Sequence, residues 1–352
     1  MPSKMNRSNN YSEQRILFVG HGGIGSNALS LYAGLQARVN HIEMIDTKFF
    51  DSPTRYSFRR VTHRLFPYFY GYVASQIVDF RVRKKLKNQI VDIVIVFKGM
   101  YVRKKTLERL NSIKVHYHPD DSTNLANRTA IFDQAESTYD LHFTSKKHNI
   151  EEIIKRTGKA VHFIWYAYDP KWHFRASSIS FLNPTFDIGF IGHMRPDRFE
   201  LILDIAKIYE KRFAVAGLKW DRFKELIELS VVYPPFYGES FSFFVKSAPL
   251  QLGLLNSDNR DQHTARSFEV PAAGGLLIAE DTPEHREMFG SESNALFFKT
   301  REELIQKISW VQDNPELARK IAENGHRYIT ENSNTWEDRA AEILRVVNES
   351  LH

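Results

Sequence analysis

The second half of the chain places an arginine and a carboxylate at positions i and i+3 of a predicted helix. Arg266 and Glu269 follow a polar loop, and that loop follows a predicted strand that ends near Asn256. A carboxylate here can bind the two hydroxyls of a ribose, and an arginine can balance phosphate charge. A helix cap with a surface ion pair would use the same residue types. Because ligands of open α/β sheets bind where strands end, the pattern favours a nucleotide site.

A glycine-rich turn in the first half suggests a second nucleotide chemistry. The sequence GHGGIG over residues 20–25 follows a predicted strand, and Asp46 stands 21 residues after its last glycine. Such glycines permit a tight turn, and the N-terminus of the next helix can hold phosphate. An NAD-dependent oxidoreductase that uses Gly20, Gly22, Gly25 and Asp46 is therefore one alternative. A tight turn with a purely structural role is another.

Imidazole and carboxylate side chains follow another strand of the first half. His118, Asp120 and Asp121 come directly after a predicted strand at Lys114–Tyr117. A carboxylate there could orient or deprotonate an acceptor hydroxyl, which makes these three residues the catalytic candidates. An Asp-rich turn that caps the next helix is the structural alternative. Although His116 alternates with His118 along the strand, we expect no metal site.

The composition describes a folded protein of two domains. The chain has 352 residues and no cysteine, which excludes disulfides and thiol catalysis and fits a reducing compartment. The longest apolar runs, at 16–19 and 91–97, are far shorter than the roughly 20 residues that span a bilayer. Residues 1–14 are polar and lack the core of a signal peptide. We therefore expect a disordered lead-in over 1–14 and a cytoplasmic protein.

Charge is spread unevenly along the chain. Residues 1–180 contain 28 Lys and Arg against 15 Asp and Glu, and the remainder contains 20 against 27, so the halves carry +13 and −7. This asymmetry suggests that the first half meets something anionic, such as the inner surface of a membrane or an acidic glycan. A solvated basic surface is the alternative. No nucleic-acid-binding motif is present, so nucleic acid is not an expected partner.

Strands and helices alternate through both halves, and this pattern predicts parallel sheets covered on both faces. Predicted strands of the first half lie at 15–20, 41–46, 91–97, 114–117, 141–144 and 161–165. A stretch at 166–185 contains two prolines and no clear period, and it is the predicted linker. The pattern then restarts with strands at 186–191, 213–216, 250–255 and 276–279. The last fifty residues are predicted to be mostly helical.

Three segments of the second half occur in an order and spacing that carry a family resemblance. They are HTARSFEVPAAGG, then TPEHREMF, then LFFKTREELIQKISWVQDNPELARKIAENGHRYI. In them the chain resembles the CgeB-type, spore-maturation-like glycosyltransferases, which are related to the family-four glycosyltransferases. The resemblance covers at least residues 186–345. The first half matches less sharply, through VFKG at 96–99, YHPDD at 117–121 and DLHFTSK at 140–146.

The resemblance implies an α/β protein of the GT-B fold, in which two Rossmann-like doubly wound domains face a central cleft. It implies an acceptor domain at 15–175, a donor domain at 186–330 and a final helix at 331–352 that crosses back to the first domain. The implied activity is transfer of a sugar from a UDP- or GDP-sugar to an acceptor hydroxyl in glycan or surface-polysaccharide biosynthesis. Retention of configuration is expected, without a metal or other cofactor. The acceptor would be a glycan, a lipid-linked molecule or a protein.

The family's donor site can be carried onto this sequence residue by residue. Related enzymes have two acids separated by seven residues, and Asp261 and Glu269 have that spacing, with Asp where Glu is usual. They also place a basic pair after the first strand of the second domain, for which Arg195 and Arg198 stand here at a different spacing. The glycine loop of the first domain would face the donor across the cleft. The implied donor-binding residues are Gly22, Gly23, His193, Arg195, Arg198, Asn256, Asp261, His263, Arg266, Glu269 and Gly274.

A third hypothesis is that the chain has the fold of these glycosyltransferases but does not catalyse sugar transfer. The chain would then be a sugar-nucleotide-binding protein that lacks transferase activity. Residue types alone do not distinguish it from the active enzyme, since both need the same donor contacts.

Overall fold

The structure is a computed structural model that divides into two units. It describes residues 11–51, 66–87 and 90–350. The first unit runs to Trp165 and resumes at Trp336, and the second comprises Tyr166–Thr335. Most of the predicted lead-in at 1–14 therefore lies outside the described residues. No described helix is both long enough and apolar enough to cross a membrane.

The first unit contains a six-stranded parallel sheet. Its strands are β1 (Arg15–Gly20), β2 (His41–Asp46), β3 (Ile93–Phe97), β4 (Ile113–His118), β5 (Leu141–Thr144) and β6 (Ala160–Phe163), in the spatial order β2-β1-β3-β4-β5-β6. All five residues of β3 are buried. A continuous apolar strand of this kind is expected where helices cover both faces of a parallel sheet.

Among the described residues of the first unit, six helices come before its C-terminal segment. They are α1 (Asn27–Gln36), α2 (Lys48–Asp51), α3 (Pro67–Leu86), α4 (Lys104–Leu107), α5 (Ala130–Ala135) and α6 (Asn149–Thr157). One face of α3, with Ala74, Val78 and Val82, packs in a core cluster that includes Val94 and Val96 of β3. Ser26 caps α1, since its hydroxyl accepts the Ala28 N–H at 3.2 Å.

The second unit contains another six-stranded parallel sheet. Its strands are β7 (Ile188–Ile191), β8 (Phe213–Ala216), β9 (Val231–Tyr233), β10 (Leu250–Gly253), β11 (Leu276–Glu280) and β12 (Leu296–Phe298), in the order β12-β11-β10-β7-β8-β9. The order runs outward in both directions from β7 and β10. This is the doubly wound order of a Rossmann-like domain, with its switch point between those two strands.

Seven helices belong to the second unit. They are α7 (Pro196–Tyr209), α8 (Lys224–Leu229), α9 (Glu239–Ser247), α10 (Arg266–Ala272), α11 (Pro283–Phe289), α12 (Arg301–Asp313) and α13 (Pro315–Glu331). Pro196, Pro283 and Pro315 each open a helix, where the missing N–H of proline costs no hydrogen bond. The core is formed by strand residues and by the apolar faces of α7 and α12, including Ile202, Ile205 and Leu304.

A final helix, α14 (Trp336–Glu349), is part of the first unit. It packs against α1 so closely that a Cβ at Gly34 would lie 2.6 Å from the carbonyl oxygen of Trp336. At its other end Asn348 accepts a hydrogen bond from the Gln14 side chain at 2.6 Å. The C-terminal residues therefore complete the first unit.

The stretch predicted as a linker is packed within the second unit. The Phe174 N–H donates to the Ser242 hydroxyl oxygen at 3.0 Å, and that hydroxyl donates to the Trp172 carbonyl at 2.9 Å. The Tyr168 N–H likewise donates to the Asn334 carbonyl at 3.1 Å. Because side chains and backbone of this unit satisfy these polar groups, the division falls after Trp165, earlier than the predicted end of the first domain at residue 175.

Candidate functional site

The candidate site lies at the switch point of the second sheet. β7 ends at Ile191 and β10 ends at Gly253, and these two strands are parallel neighbours. The chain leaves β7 toward α7 and leaves β10 toward α10, and right-handed connections to strands on opposite sides carry the two helices to opposite faces. Diverging loops at the carboxyl ends of neighbouring strands form a crevice, which is where open α/β sheets bind ligands.

Arg266, at the start of α10, is fixed to the end of β7. Its Nε–H donates to the Ile191 carbonyl at 3.0 Å, and its guanidinium forms an ion pair with Glu269. The guanidinium carbon also lies 5.1 Å from the centre of the Phe241 ring. Burial lowers the pKa of Arg266 to about 10, so the group stays cationic at neutral pH. The result is a fixed positive charge at the switch point.

Glu269 is held between two partners. Arg266 bonds one carboxylate oxygen, and His173 Nε2 lies 3.5 Å from the other. His173 Nδ1 accepts the Asp169 N–H at 3.0 Å, which places the proton of the neutral ring on Nε2, toward the carboxylate. Burial lowers the pKa of His173 to about 3, with a further contribution from Arg266. His173 therefore faces Glu269 as a neutral donor.

Arg198, in the first turn of α7, ties that helix to the loop after β10. Its Nη2 donates to the Leu255 carbonyl at 2.8 Å and also to the side-chain oxygen of Asn256. The guanidinium carbon lies 5.4 Å from the centre of the Phe190 ring. Burial lowers the pKa of Arg198, while Asp197 opposes that shift. A second fixed cation thus stands on the other side of the switch point.

Asp261 organises the loop after β10. Its carboxylate accepts the Asn256 side-chain amide at 2.6 Å, the Asn256 N–H at 3.2 Å and the Asn259 side-chain amide at 2.8 Å. With 7% exposure, the carboxylate is buried among these donors. The resemblance implied that Asp261 is one of the donor-binding residues, and in the structure its carboxylate holds Asn256 toward Arg198.

His193 and Arg195 follow β7 directly. His193 Nδ1 accepts the Leu218 N–H at 3.1 Å, so the proton of the neutral ring is on Nε2. Burial lowers the pKa of His193, and the charges of Arg266 and Arg198 lower it further. Arg195 forms an ion pair with Asp258. The structure thus brings the predicted His193, Arg198, Arg266 and Glu269 to one end of the sheet, with Arg195 neutralised beside them.

His263 belongs to the interior of the second unit. It is fully buried, and its Nδ1 lies 2.5 Å from a Glu284 carboxylate oxygen. The neighbouring His285 donates from Nδ1 to the Glu280 carbonyl at 2.7 Å and accepts the Ser267 hydroxyl at 2.8 Å. These imidazoles brace the β10–α10 and β11–α11 loops. The prediction that His263 contacts the donor is not supported by this placement.

Gly274 lies at the amino ends of the strands, whereas the switch-point crevice lies at their carboxyl ends. It joins the end of α10 to the start of β11 with a φ of +84°. A Cβ there would lie 2.8 Å from Arg175 Cγ and 2.9 Å from Ile179 Cδ1. The glycine is therefore required by a left-handed turn and close packing, and the structure places it away from the predicted donor contacts.

A pocket of about 850 Å³ opens beside the site. Arg198 and Asn256 line it, but Arg266 and Glu269 do not. Six carboxylates line the pocket against four cationic groups, which disfavours a diphosphate there. The lining carboxylates are Asp197, Glu200, Asp204, Asp261, Glu280 and Asp281. The better place for an anionic nucleotide is the surface near His193, where the charges of both Arg266 and Arg198 act and where Glu269 lies beside Arg266.

The glycine loop of the first unit uses its amides internally. The Gly22 N–H donates to Asp46 Oδ1 at 2.7 Å, and the Lys48 N–H donates to the same oxygen at 2.7 Å. The Gly23 N–H donates to His21 Nδ1 at 3.1 Å. The loop has the predicted strand–turn–helix context, yet the two amides that were predicted to face a donor phosphate already have partners.

The three catalytic candidates of the first unit have structural partners. His118 is buried and donates from Nδ1 to the Asp120 carbonyl at 3.0 Å. Asp121 accepts the Thr123 N–H and hydroxyl, each at 2.8 Å, as a turn cap. Burial would raise the pKa of Asp120, but Lys98, 2.6 Å away, and His118 outweigh it and hold that pKa below its usual value. All three side chains thus have partners within the first unit, and their catalytic role stays a prediction.

Metal ligands are not gathered at these sites. Over residues 11–51, 66–87 and 90–350, no three His, Asp or Glu side chains are grouped so as to hold a metal ion. His116 and His142 approach each other at 3.2 Å, but the His116 Nε2–H donates to the Lys98 carbonyl at 3.0 Å. Burial lowers the pKa of both rings, and both are neutral parts of the core.

Solved structures define the class of this fold. A sucrose-phosphate synthase from Thermosynechococcus elongatus superposes with a TM-score of 0.67 at 12% identity, over 96% of this chain and 99% of that one. The Anabaena protein Alr3699/HepE, solved in complex with UDP and glucose, gives 0.63 at 13% identity, over 96% and 100%. The chain therefore has the GT-B fold, and the predicted pair of Rossmann-like doubly wound domains is confirmed.

Sequence comparisons point to the same class. Residues 198–345 match the family described as "Glycosyl transferase-like". A curated relative, "Glycosyltransferase 1 domain-containing protein 1" of Xenopus tropicalis, is 30% identical over 84 residues. That match spans about a quarter of each protein, 24% of this chain and 24% of the relative. The family match begins at Arg198 and includes Arg266 and Glu269, so these findings support a glycosyltransferase; the narrower CgeB-type resemblance stays a prediction.

Sequence reasoning missed two residues of the site. His173 lies in the stretch predicted as a linker, and Phe241 lies on α9, far from any motif. His173 stands edge-on to the Phe241 ring, with 4.9 Å between ring centres, while Arg266 lies over the same ring. No spacing in the sequence links these residues to Glu269, because only the folded second unit brings them together.

Proposed function

We propose that this chain is a glycosyltransferase that moves a sugar from a nucleoside-diphosphate sugar to an acceptor hydroxyl. The observation that carries the proposal is the convergence of Arg198, Arg266 and Glu269 at the switch point of the second sheet. Two fixed cations there suit a diphosphate, and a carboxylate suits a ribose diol. The family match over 198–345 supports this assignment.

The donor would be a UDP- or GDP-sugar. One structural relative was solved with UDP and glucose bound, which favours the uridine nucleotide. Glu269 would accept hydrogen bonds from the ribose, Arg266 and Arg198 would balance the phosphates, and the Nε2–H of His193 would donate to a phosphate or sugar oxygen. Asn256, held by Asp261, would complete the wall of the site.

In the proposed reaction the bond between the anomeric carbon and the diphosphate oxygen breaks, and the acceptor oxygen bonds to that carbon. The electron pair leaves with the diphosphate, and the acceptor hydroxyl proton passes to a departing phosphate oxygen. Charge grows on the diphosphate as its bond breaks, and preorganised cations stabilise that charge without reorientation. We propose retention of configuration, as the family resemblance implies and as transfer of the proton to the departing phosphate on the same face requires. We propose that no metal is needed, because Arg198 and Arg266 supply positive charge.

The acceptor class, the pathway and the compartment of the enzyme are proposed from the family resemblance. The resemblance of residues 186–345 supports glycan or surface-polysaccharide biosynthesis in the cytoplasm, with a glycan, lipid-linked molecule or protein as acceptor. The oxidoreductase alternative requires the glycine loop and Asp46 to receive a dinucleotide. In the structure, Asp46 Oδ1 and the Gly22 amide are bonded to each other, which favours a structural turn.

Turnover tests this function. The purified chain is incubated with UDP-glucose, UDP-N-acetylglucosamine or GDP-mannose and a cell extract as acceptor, and release of the nucleoside diphosphate is measured. We expect acceptor-dependent release, reduced about 100-fold in Arg266→Gln, because removal of one preorganised charge donor costs about that much. Arg222→Gln, at an exposed arginine of the same unit, is the matched control and should keep wild-type activity.

Two other outcomes of this experiment would contradict the proposed transferase activity and favour a different function. Nucleotide binding without release for any donor would favour a non-catalytic sugar-nucleotide-binding protein. Oxidation or reduction of a nicotinamide cofactor, with no response to nucleotide sugars, would favour the oxidoreductase.

A further inference from the structure

Helix α3 of the first unit carries a stripe of large apolar side chains on its outer face. Tyr68, Phe69, Tyr72 and Phe80 are 87%, 65%, 58% and 58% exposed, and Val73 is 38% exposed. Tyr68 and Tyr72 are four positions apart, Phe69 lies three and four positions before Tyr72 and Val73, and Phe80 follows Val73 by seven, so these side chains share one side of the helix. We call these five side chains the aromatic face. Single exposed apolar residues are common, but a contiguous group of this size marks an interaction site.

Basic side chains follow the aromatic face on the same side of α3. Arg83, Lys84 and Lys87 are exposed and lie three, four and seven positions after Phe80. Arg83 is paired with Asp79 at 3.0 Å, whereas Lys84 and Lys87 have no ion-pair partner among the residues that the structure describes. One side of α3 is thus aromatic toward its N-terminus and cationic toward its C-terminus.

A basic pocket adjoins the aromatic face. Its volume is about 530 Å³, and Tyr68 and Tyr72 line it together with Arg103, Lys104 and Lys105. Arg103 is paired with the buried Asp79 at 2.7 Å, and Lys104 lies 3.7 Å from Glu108. Lys105 is exposed and has no ion-pair partner in the described part of the chain. Tyr68 and Tyr72 therefore belong both to the aromatic face and to the wall of the cationic pocket, so the two form one continuous surface.

We propose that this surface docks the first unit on an anionic lipid bilayer. Aromatic side chains favour the headgroup region because one part of each ring is apolar while its edge or hydroxyl can be wet. Lysines beside such a face strengthen membrane binding, because they are attracted to anionic lipid headgroups. The helix, 20 residues and about 30 Å long, would lie in the plane of the membrane, with the aromatic face inserted and the basic pocket over a phosphate headgroup.

Charge complementarity selects lipid over a second copy of the chain. Two copies that met through this surface would bring Lys84, Lys87 and Lys105 of each toward those of the other. The whole segment from residue 1 to 180 carries +13, which opposes such self-association and favours an anionic surface. The proposal is independent of the catalytic function, because it uses none of the residues at the nucleotide site.

Vesicle flotation of the full chain tests the docking surface. Vesicles of phosphatidylcholine alone are compared with vesicles that also contain phosphatidylglycerol, at low and at physiological salt. We expect the wild type to bind the anionic vesicles at least tenfold more than the neutral ones, and less at higher salt. Phe69→Ser with Phe80→Ser and, separately, Lys84→Glu with Lys87→Glu should each reduce binding about tenfold or more, as expected for lost apolar insertion and lost lysine–lipid attraction.

Matched controls come from exposed helix residues of the second unit. Trp310→Ser is the control for the aromatic change, and Lys224→Glu with Lys320→Glu alters the net charge as much as the lysine pair does. Both controls should bind like the wild type. The proposal is overturned if anionic and neutral vesicles bind alike, if the aromatic pair binds like the wild type, or if the charge controls lose as much binding as Lys84 and Lys87. It is also overturned if light scattering shows a dimer that the aromatic pair dissociates.

Discussion

At the scale of single residues, the carboxylate of Glu269 illustrates how the site is prepared. It is 5% exposed and lies between a cation, Arg266, and a neutral donor, His173. A buried carboxylate needs such partners because unpaired burial of charge is costly. The backbone on both sides of His173 is fixed to the Ser242 hydroxyl, so the imidazole has little freedom to turn away. His173 is therefore a positioning residue for Glu269.

Removal of the His173 donor should weaken nucleotide-sugar binding and leave chemistry nearly unchanged. We expect His173→Phe, which keeps an aromatic ring against Phe241, to raise KM for the nucleotide sugar about two- to tenfold, the usual value of one hydrogen bond. The value of kcat should stay within about twofold, because the residue does not touch the reacting atoms. His173→Gln restores a donor and should recover part of the loss.

The pH dependence distinguishes positioning from general structural damage. Since burial lowers the pKa of His173 to about 3, the ring is neutral across the pH range of the assay. The ratio of KM between His173→Phe and the wild type should therefore be constant from about pH 6 to pH 8. A ratio that changes there, or an unchanged KM in His173→Phe, contradicts the role assigned to this side chain.

At the scale of elements, the return of α14 onto α1 depends on a glycine. A Cβ at Gly34 would lie 2.6 Å from the Trp336 carbonyl oxygen and 2.9 Å from Glu337 Cα, both backbone atoms. By contrast, the contacts of a Cβ at Gly71 of α3 with the described residues would be Ile131 Cδ1 at 3.5 Å and Tyr101 Cε1 at 4.0 Å. The two helix glycines thus differ in the space around them and form a natural pair for comparison.

Alanine at these two positions should have opposite effects on stability. We expect Gly34→Ala to lower the free energy of unfolding by about 1–3 kcal/mol, because α14 must move away from α1. Gly71→Ala should raise it by roughly 0.5–1 kcal/mol, because the unfolded chain loses freedom while the fold accommodates the methyl group. Urea denaturation of both variants measures this. Equal effects of the two changes would show that the α1–α14 contact is looser than the structure has it.

Elements were the most predictable part of the fold. β1 and β2 have the predicted bounds, because apolar runs are local signals. Packing that joins distant segments has no local signal. The stretch 166–185 therefore looked like a linker although Phe174 and Tyr168 are bonded within the second unit.

At the scale of the whole molecule, the sequence predicted the region of the candidate site but not every member of it. Arg198, Arg266 and Glu269 could be proposed because the family resemblance covers them and because they lie in the first turns of helices that follow strands at the switch point, where topology brings loops together. His263 and Gly274 belong to the same matched segment, yet one is enclosed in the core and the other lies at the amino ends of the strands. A sequence motif gives the order of residues, whereas the direction of each side chain depends on the fold around it.

The central claim is that the nucleotide binds the second unit through Glu269 rather than the glycine loop of the first. Calorimetric titration of UDP and of NAD into the wild type and two isosteric variants tests it most directly. We predict that UDP binds, that NAD does not, and that Glu269→Gln weakens UDP about tenfold to a hundredfold, the value of a hydrogen bond to a charged group. Asp46→Asn should bind UDP like the wild type. Binding of NAD that Asp46→Asn abolishes, with no binding of UDP, would contradict the account.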